Sequence, residues 1–491
     1  MRLSIFKVFI FSTIVFGFSK SNLSPKDQLD DFNVFSSILN SKEGTLDIHQ
    51  PLDSIDTYFE SLKETLSEKK SQIELFKLFS SATAKIQCGH TLLQASKNVI
   101  KEWVLQKNSL PFDYIMVGKK LFTIKMVKEN VKANTKNIKQ DKSKKKKGIP
   151  PDCELYSIDN HSVDEMMQSI SNFISSDENG IDFKYYQVGQ LFEFYRNLAF
   201  TEKLDSIRVE YISKKDTIEM YLESGYPPVN SINKRINEFQ KKVNKNIEDK
   251  GKFKIEKSKY GYFRFVSFVN CKGVAYEEFL KKSFTSLQKK NIKYLIVDLR
   301  GNTGGQMQYS FMRYFVGPDI KLGTYYVEKP KKMFESRHIK RHNRFYFNHR
   351  LLSKLYKYRK KKKPDYDGSI YTTKVDEKLI FKGQIIVITD EATFSAGSFL
   401  ACNLKTLVNA KIAGQKAGGS FYKGNSGTLK VYLPKSKFLL YVNPNTFKTQ
   451  LEDNSDSQTI KIPDYLLDPI YPTMKKKDDW YISKVTRLFT K

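Results

Sequence analysis

From about residue 255 onward, short apolar segments alternate with segments whose apolar residues recur at helical spacing. Strands are predicted at 261–268, 294–299, 384–389 and 411–413, and helices at 274–290, 306–315 and 396–407. Continuous apolar strands that alternate with helices are typical of a sheet covered by helices. This part of the chain is therefore predicted to be an α/β domain, with a hairpin at 429–442.

The chain before this domain has a different pattern. Residues 24–105 are predicted to be helical, and Ser71-Gln-Ile-Glu74 is a capping-box sequence followed by apolar residues at helical spacing. Short strands are predicted at 113–117 and 121–126. Residues 153–165 then predict a strand, a tight turn and a helix capped by Ser162, which is the local arrangement of a PDZ-type peptide-binding module.

The first 20 residues are typical of a signal peptide. Arg2 supplies a positive charge, and residues 5–18 form an apolar run that is too short to span a bilayer well. We expect cleavage near Ser19 and an exported protein, either periplasmic or extracellular. An uncleaved membrane anchor is the alternative.

Length and composition indicate how many domains to expect and whether the cysteines form disulfides or bind a metal. A chain of 491 residues with 40% hydrophobic residues is long enough for several cores, and its length suggests about two to four domains. The cysteines lie far apart and include no C-x-x-C pair: Cys88, Cys153, Cys271 and Cys402. We therefore expect no disulfide framework, no metal site and no cofactor.

The net charge of +31 first suggests a polyanionic partner. The charge is concentrated, however, in two segments. Residues 119–147 hold 12 Lys/Arg and 2 acids, and residues 329–363 hold 15 Lys/Arg and 1 acid. Either these segments contact an anionic envelope surface or an acidic substrate, or they are solvated loops. No nucleic acid is expected, because the aromatic-basic recognition motifs are missing and export is predicted.

Two loops that follow buried strands carry the candidate chemistry. In the first, residues 298–305, glycines present backbone N–H groups to an anion without the phosphate-loop pattern, which suits an oxyanion hole. The second loop, residues 389–398, places Ser395 at a strand-to-helix junction, where the helix N-terminus favours developing negative charge. The alternative for Ser395 is an ordinary helix N-cap.

Three motifs of this region occur in order: Tyr-Leu-Ile-Val-Asp-Leu-Arg-Gly-Asn-Thr-Gly-Gly (294–305), Ile-Thr-Asp-Glu-Ala-Thr-Phe-Ser-Ala-Gly-Ser (388–398) and Gly-Gln-Lys-Ala-Gly-Gly (414–419). Together they resemble the tail-specific (C-terminal processing) serine peptidases, a family that includes the tricorn-type proteases. Residues 148–165 are similar to the PDZ segment of that family, and Ile462-Pro-Asp464 is similar to its C-terminal strand.

The resemblance implies a crotonase/ClpP-like catalytic α/β domain with an N-terminal helical region and a PDZ-like module. The expected divisions are a signal peptide (1–20), the helical region (21–105), the PDZ-like module with its Lys-rich loop (106–230), and the catalytic domain (231–475) with a basic insertion (329–363). The match extends, in order, over most of residues 70–470.

By the same resemblance, Ser395 is the nucleophile that attacks the scissile carbonyl. The backbone N–H groups of Ala396 and of Gly304 or Gly305 then form the oxyanion hole. Asp298 and Arg300 also match family positions, and we interpret both as structural residues.

The general base is where the chain departs from the best-known members of the family. Those members carry a lysine in the glycine-rich segment after the serine, at the position where this chain has Ser420. Lys416 or Lys423 would replace it only if the loop were shifted. Another branch resembles a Ser–His–acid triad, and Cys88-Gly-His-Thr91 is similar to the G-H-T motif of that branch.

His90 is therefore the predicted general base, since a histidine titrates near neutrality and relays the serine proton. The triad acid is predicted to be Glu452, with Asp456 and Asp453 as the alternatives, because all three precede the Pro-Asp strand and the acid must reach the histidine ring.

The sequence thus predicts an exported serine endopeptidase that hydrolyses peptide bonds of protein or peptide substrates through an acyl-enzyme. A catalytically inactive relative that binds peptides through the PDZ-like groove is the main alternative, motivated by the missing lysine. The substrate, the cleavage preference and the oligomeric state stay open.

Overall fold

The structure is a computed structural model of the chain. The residues that it describes are 22–39, 52–124, 127–128, 148–189, 191–202, 205–213, 216–227, 251–269, 271–327, 344–363, 367–443, 445–451, 458–469 and 478–490. The predicted signal peptide, most of the Lys-rich segment 119–147 and residues 329–343 of the basic insertion lie outside this set. Within the set, no helix is long and apolar enough to cross a membrane.

The helices of the described residues are α1 (Pro25–Leu39), α2 (Leu52–Glu64), α3 (Gln72–Lys85), α4 (Lys97–Val104), α5 (Val163–Ser171), α6 (Ile181–Val188), α7 (Phe192–Ala199), α8 (Val274–Lys289), α9 (Tyr309–Val316), α10 (Arg344–Lys362), α11 (Ala396–Val408) and α12 (Asp478–Thr486). Short 3₁₀ helices cover Thr65–Ser67, Asp177–Asn179, Glu377–Leu379 and Arg487–Thr490.

The strands of the first half are β1 (Asn22–Leu23), β2 (Lys70–Ser71), β3 (Leu92–Gln94), β4 (Tyr114–Val117), β5 (Lys120–Thr123), β6 (Val127–Lys128), β7 (Gly148–Ile149), β8 (Glu154–Ile158), β9 (His161–Ser162), β10 (Ser206–Ser213) and β11 (Asp216–Glu223). Those of the second half are β12 (Gly251–Glu256), β13 (Tyr260–Phe265), β14 (Tyr294–Asp298), β15 (Lys321–Val327), β16 (Ser369–Tyr371), β17 (Gln384–Thr389), β18 (Lys411–Gly414), β19 (Lys423–Ser426), β20 (Leu429–Tyr432), β21 (Leu439–Val442), β22 (Asn445–Lys448) and β23 (Tyr465–Leu466).

A six-stranded sheet in the order β12-β13-β14-β17-β18-β23 forms the centre of the second half. Strands β12 and β13 are antiparallel, and the remaining pairs are parallel. Val297 belongs to one buried cluster, with residues of α8, α9 and α11 such as Phe399. Ile388 belongs to another, with Tyr481 of α12. Because side chains alternate between the faces of a strand, helices cover both faces, which confirms the predicted α/β architecture.

Helices α1 to α4 and the short strands β2 and β3 lie within residues 24–105, for which helices were expected. The predicted capping box is present: the Glu74 N–H donates to Ser71 Oγ at 3.2 Å, and the Ser71 N–H donates to the Glu74 carboxylate at 2.7 Å. The apolar residues of this region share one core with the predicted hairpin β20–β21, to which β3 pairs. His90 lies two residues before β3, so this pairing helps to fix its place.

Strands β4, β5, β8, β10 and β11 form an antiparallel sheet, and β9 pairs with β8. Between β8 and β9, Asp159 and Asn160 have φ angles of 49° and 67°, which are the positive values of a tight hairpin turn. Ser162 Oγ accepts the Glu165 N–H and caps α5. The predicted strand, turn and capped helix are therefore confirmed as local structure.

Two parts of the second half were not predicted. A four-stranded sheet, β16-β15-β22-β19, joins segments that are distant in sequence, so no local sequence pattern predicts which strands pair. The basic insertion is not only a loop, because α10 occupies residues 344–362. Lysine, arginine and leucine are favourable helix residues, which accounts for a helix in so basic a segment.

Candidate active site

Ser395 lies in a sharp turn between β17 and α11. Its backbone has φ 55° and ψ −121°, and its side chain makes no capping hydrogen bond to the helix. A non-glycine residue adopts this conformation only when its surroundings impose it, at a cost of about 1–3 kcal/mol. Such a strained strand-to-helix turn exposes a nucleophile, as in the elbow of α/β hydrolases. The ordinary N-cap, which needs extended backbone and a capping oxygen, is not what the structure has here.

Backbone contacts on both sides hold this turn. The Phe394 N–H donates to the Asn302 carbonyl at 3.0 Å, and the Gly419 N–H donates to the Thr393 carbonyl at 3.1 Å. A Cβ on Gly419 would lie 2.9 Å from the Ser395 nitrogen, so a larger residue there would push the turn out of place. The turn is thus fixed by two of the glycine-rich segments that carry the family resemblance.

Two of the predicted oxyanion residues, Gly304 and Ala396, lie beside Ser395. A Cβ on Gly304 would lie 2.7 Å from Ser395 Cβ and 3.0 Å from the Ala396 nitrogen, so the backbones approach closely. The Gly304 N–H already donates to Asn302 Oδ1 at 2.9 Å. That bond favours Gly305, whose φ is 140°, and Ala396 as the pair of donors for an oxyanion.

His90 lies in a turn that packs against the residue before Ser395. The rings of His90 and Phe394 have centroids 4.7 Å apart, and a Cβ on Gly89 would lie 2.7 Å from the Phe394 ring. His90 is 2% exposed, and neither ring nitrogen has a hydrogen-bond partner among the described residues. Burial lowers the pKa of His90 to about 4, so the ring is neutral at pH 7.

Asp177 joins the His90 turn to the glycine-rich segment after the serine. Its Oδ1 accepts the Gly89 N–H at 2.8 Å, and its Oδ2 accepts the Ser420 N–H at 3.3 Å. The side chain is 2% exposed. No motif in the sequence announces this residue, because the two backbone groups that it holds come from distant parts of the chain.

Ser420, which stands where a dyad lysine was expected, belongs to a buried polar network. Its Oγ donates to Glu178, and Lys461 Nζ lies 3.3 Å from Glu178 Oε2. Burial lowers the pKa of Lys461, although Glu178 opposes the shift. The alternative lysine Lys416 instead donates to Gln458 at 2.9 Å. Sequence reasoning missed Glu178 and Lys461, although Lys461 directly precedes the recognised Ile462-Pro-Asp464 motif.

The predicted triad acids, Glu452, Asp453 and Asp456, lie outside the described residues. Asp298 is fully buried and binds Arg300 through two hydrogen bonds of 3.0 and 2.7 Å, as expected of a structural pair. Burial opposes ionisation of Asp298, but Arg264 and Arg300 lower its pKa.

Two carboxyl groups at the start of the serine loop, Asp390 and Glu391, are partly buried. Asp390 accepts the Gly301 N–H at 2.8 Å, which ties the serine loop to the first glycine-rich loop. Burial raises the pKa of Glu391 to about 7, and the neighbouring Asp390 adds to the shift.

Comparison with known proteins agrees with this geometry. Residues 259–451 match the model of peptidase family S41. The chain is a serine peptidase, and residues 259–451 are its S41-type part. This confirms the resemblance to the tail-specific and tricorn-type enzymes. No curated protein matches the sequence significantly.

Among solved structures, the fold of the chain is similar to that of CPAF. A CPAF serine-to-alanine mutant has a TM-score of 0.57 and 13% identity, over 95% of this chain and 97% of that one. Mature CPAF has a TM-score of 0.54 and 12% identity, over 94% and 97%. Mature CPAF complexed with lactacystin has a TM-score of 0.53 and 12% identity, over 94% and 98%. At these identities the likeness concerns the fold.

Proposed function

We propose that this serine peptidase is an exported endopeptidase that cleaves protein substrates through an acyl-enzyme on Ser395, with His90 as general base. The observation that carries the proposal is the strained backbone of Ser395 between the glycine loops, with the His90 turn packed on its neighbour Phe394. Strain at a reactive side chain persists where function requires it.

The reaction requires a proton acceptor and stabilised charge. Ser395 Oγ attacks the scissile carbonyl carbon while its proton moves to a nitrogen of His90. The N–H groups of Gly305 and Ala396 stabilise the oxyanion of the tetrahedral intermediate. The protonated His90 then gives the proton to the leaving amine, and water hydrolyses the acyl-enzyme by the same route.

His90 must reorient for this reaction, because its two ring nitrogens have no partners in the described structure. Catalytic hydrogen bonds are often long in unliganded enzymes and tighten when substrate binds. Glu452 is the proposed acid, with Asp456 and Asp453 next, since an ionised carboxylate beside the ring would raise the pKa of His90 toward the working range.

The test compares four variants on casein cleavage and on labelling by a fluorophosphonate probe. Ser395→Ala should abolish both, and His90→Ala should reduce the rate by at least about 100-fold. The matched controls are Ser286→Ala, a partly exposed serine on α8, and His161→Ala at the start of β9. Both controls should retain the parent rate. Parent-like cleavage by Ser395→Ala or His90→Ala would refute the assigned roles.

We also propose that the module of β4 to β11 binds peptides in the manner of a PDZ domain, and that residues 1–20 direct export. The capped helix α5 beside β8 supports the first, and the apolar run 5–18 supports the second. N-terminal sequencing of protein recovered outside the cytoplasm should begin near residue 20. A terminus at Met1 would contradict cleavage.

A further inference from the structure

Three metal-binding side chains meet beside the candidate active site. The Sγ of Cys88, a ring nitrogen of His90 and a carboxylate oxygen of Asp177 all lie within 4.8 Å of one another. Each residue is 2% exposed. Cys88 and His90 come from one turn, while Asp177 comes from a distant 3₁₀ helix, so sequence spacing alone gave no reason to expect a metal site.

Hydrogen bonds from neighbouring groups hold two of these side chains in place. The Asp177 carboxylate is held by the N–H groups of Gly89 and Ser420, and Asn425 Nδ2 donates to Cys88 Sγ at 3.4 Å. Among the described residues, neither buried nitrogen of His90 has a hydrogen-bond partner, and such burial is costly unless something binds there.

The ligand chemistry favours zinc. A thiolate, an imidazole and a carboxylate are the usual Zn²⁺ donors, at about 2.0–2.3 Å from the ion. Bringing ligand atoms from 4.8 Å into a tetrahedral shell needs on the order of 1 Å of movement. One thiolate and one carboxylate neutralise the two charges of the ion, and a neutral assembly is what a buried site accepts.

We propose that Cys88, His90 and Asp177 bind one Zn²⁺ ion and that binding inhibits the peptidase. Binding displaces the thiol proton of Cys88 to solvent and uses a lone pair of His90. A histidine whose lone pair is held by metal does not accept the proton of Ser395. The metal site is independent of the mechanism above, whereas its inhibitory effect rests on the proposed role of His90.

Binding is tested on the full-length protein after treatment with a chelator, by titration with Co²⁺ and then Zn²⁺. The parent should bind one Co²⁺ with thiolate-to-cobalt charge-transfer absorption, which Zn²⁺ then removes. Cys88→Ser should lose this absorption and bind Zn²⁺ at least about tenfold more weakly. Cys271→Ser, an equally buried thiol outside the cluster, should behave as the parent. Absence of the band in the parent, or its persistence in Cys88→Ser, would overturn the site.

Inhibition is measured on the same samples, each relative to its own rate without metal. Zn²⁺ should inhibit the parent and Cys271→Ser, and about tenfold more Zn²⁺ should be needed for Cys88→Ser. Activation by zinc, or equal inhibition of all three proteins, would overturn the regulatory role. If His90→Ala retains full activity while the cobalt band is lost in Cys88→Ser, the proposed base is wrong and the metal site stands.

Discussion

Substitution of Gly304 by alanine should separate the geometry of the nucleophile from the stability of the fold. The new Cβ would lie 2.7 Å from Ser395 Cβ, whereas ordinary contacts begin near 3.4 Å. Relief therefore needs a displacement of about 0.7 Å at the nucleophile or at the oxyanion loop. Misplacement on the 1 Å scale costs about 100-fold in rate.

The stability of the Gly304→Ala variant should also fall. Its φ of 98° is unfavourable for alanine by roughly 1–2 kcal/mol, and the overpacked contact adds about 1–3 kcal/mol. Gly301→Ala is the matched control, because Gly301 lies in the same loop with φ 73° and a Cβ there meets nothing within 4 Å. It shares the backbone penalty without the contact at Ser395.

The assay is kcat/KM on a fluorogenic peptide or casein, together with urea unfolding of each variant. We expect Gly304→Ala to lose about 100-fold in kcat/KM and Gly301→Ala to stay within a few-fold of the parent. Equal kinetics for the two variants, with both folded, would falsify the placement of Ser395 against this loop.

Three further outcomes are expected. Ser395→Gly should be more stable than Ser395→Ala by about 1–2 kcal/mol in urea unfolding, because glycine relieves the positive φ; equal stability would mean that the turn is not strained. Glu391 has its folded pKa raised from 4.5 to about 7, so stability should fall by about 3 kcal/mol as pH rises from 4.5 to 7, and Glu391→Gln should lack this fall; parallel pH curves would contradict it. In Asp177→Asn, an amide NH₂ group faces one of the two backbone N–H donors and cannot accept its hydrogen bond. We therefore expect kcat to drop at least about tenfold, with the near-ultraviolet circular dichroism spectrum unchanged. An unchanged kcat would show that Asp177 is not a positioning residue.

Local patterns account for the elements that were predicted well. Strand β17 and helix α11 follow from a continuous apolar run and from helical spacing, and the two capping boxes follow from a Ser and a Glu three residues apart. The sheet of β15, β16, β19 and β22 was not predicted, since pairing of strands far apart in sequence depends on tertiary contacts.

For the candidate site, the order of three glycine-rich motifs was enough to single out Ser395 and to expect a serine peptidase. The choice between a nucleophile and an N-cap depends on the backbone of Ser395, and only the packed loops impose its positive φ. Asp177 and Lys461 could not be predicted from the sequence, because their partners come from remote segments. The partners of Asp177 are backbone N–H groups, and that of Lys461 is a carboxylate.

The amino-acid sequence by itself thus determined the α/β pattern, the resemblance to serine peptidases and the choice of Ser395 as candidate nucleophile, because each depends on short-range periodicity and motifs. The tertiary structure alone decided that His90 packs on Phe394 and that Cys88 and Asp177 meet beside it. Those contacts form between chain segments that are distant in sequence. Their packing depends on the whole core rather than on any local stretch.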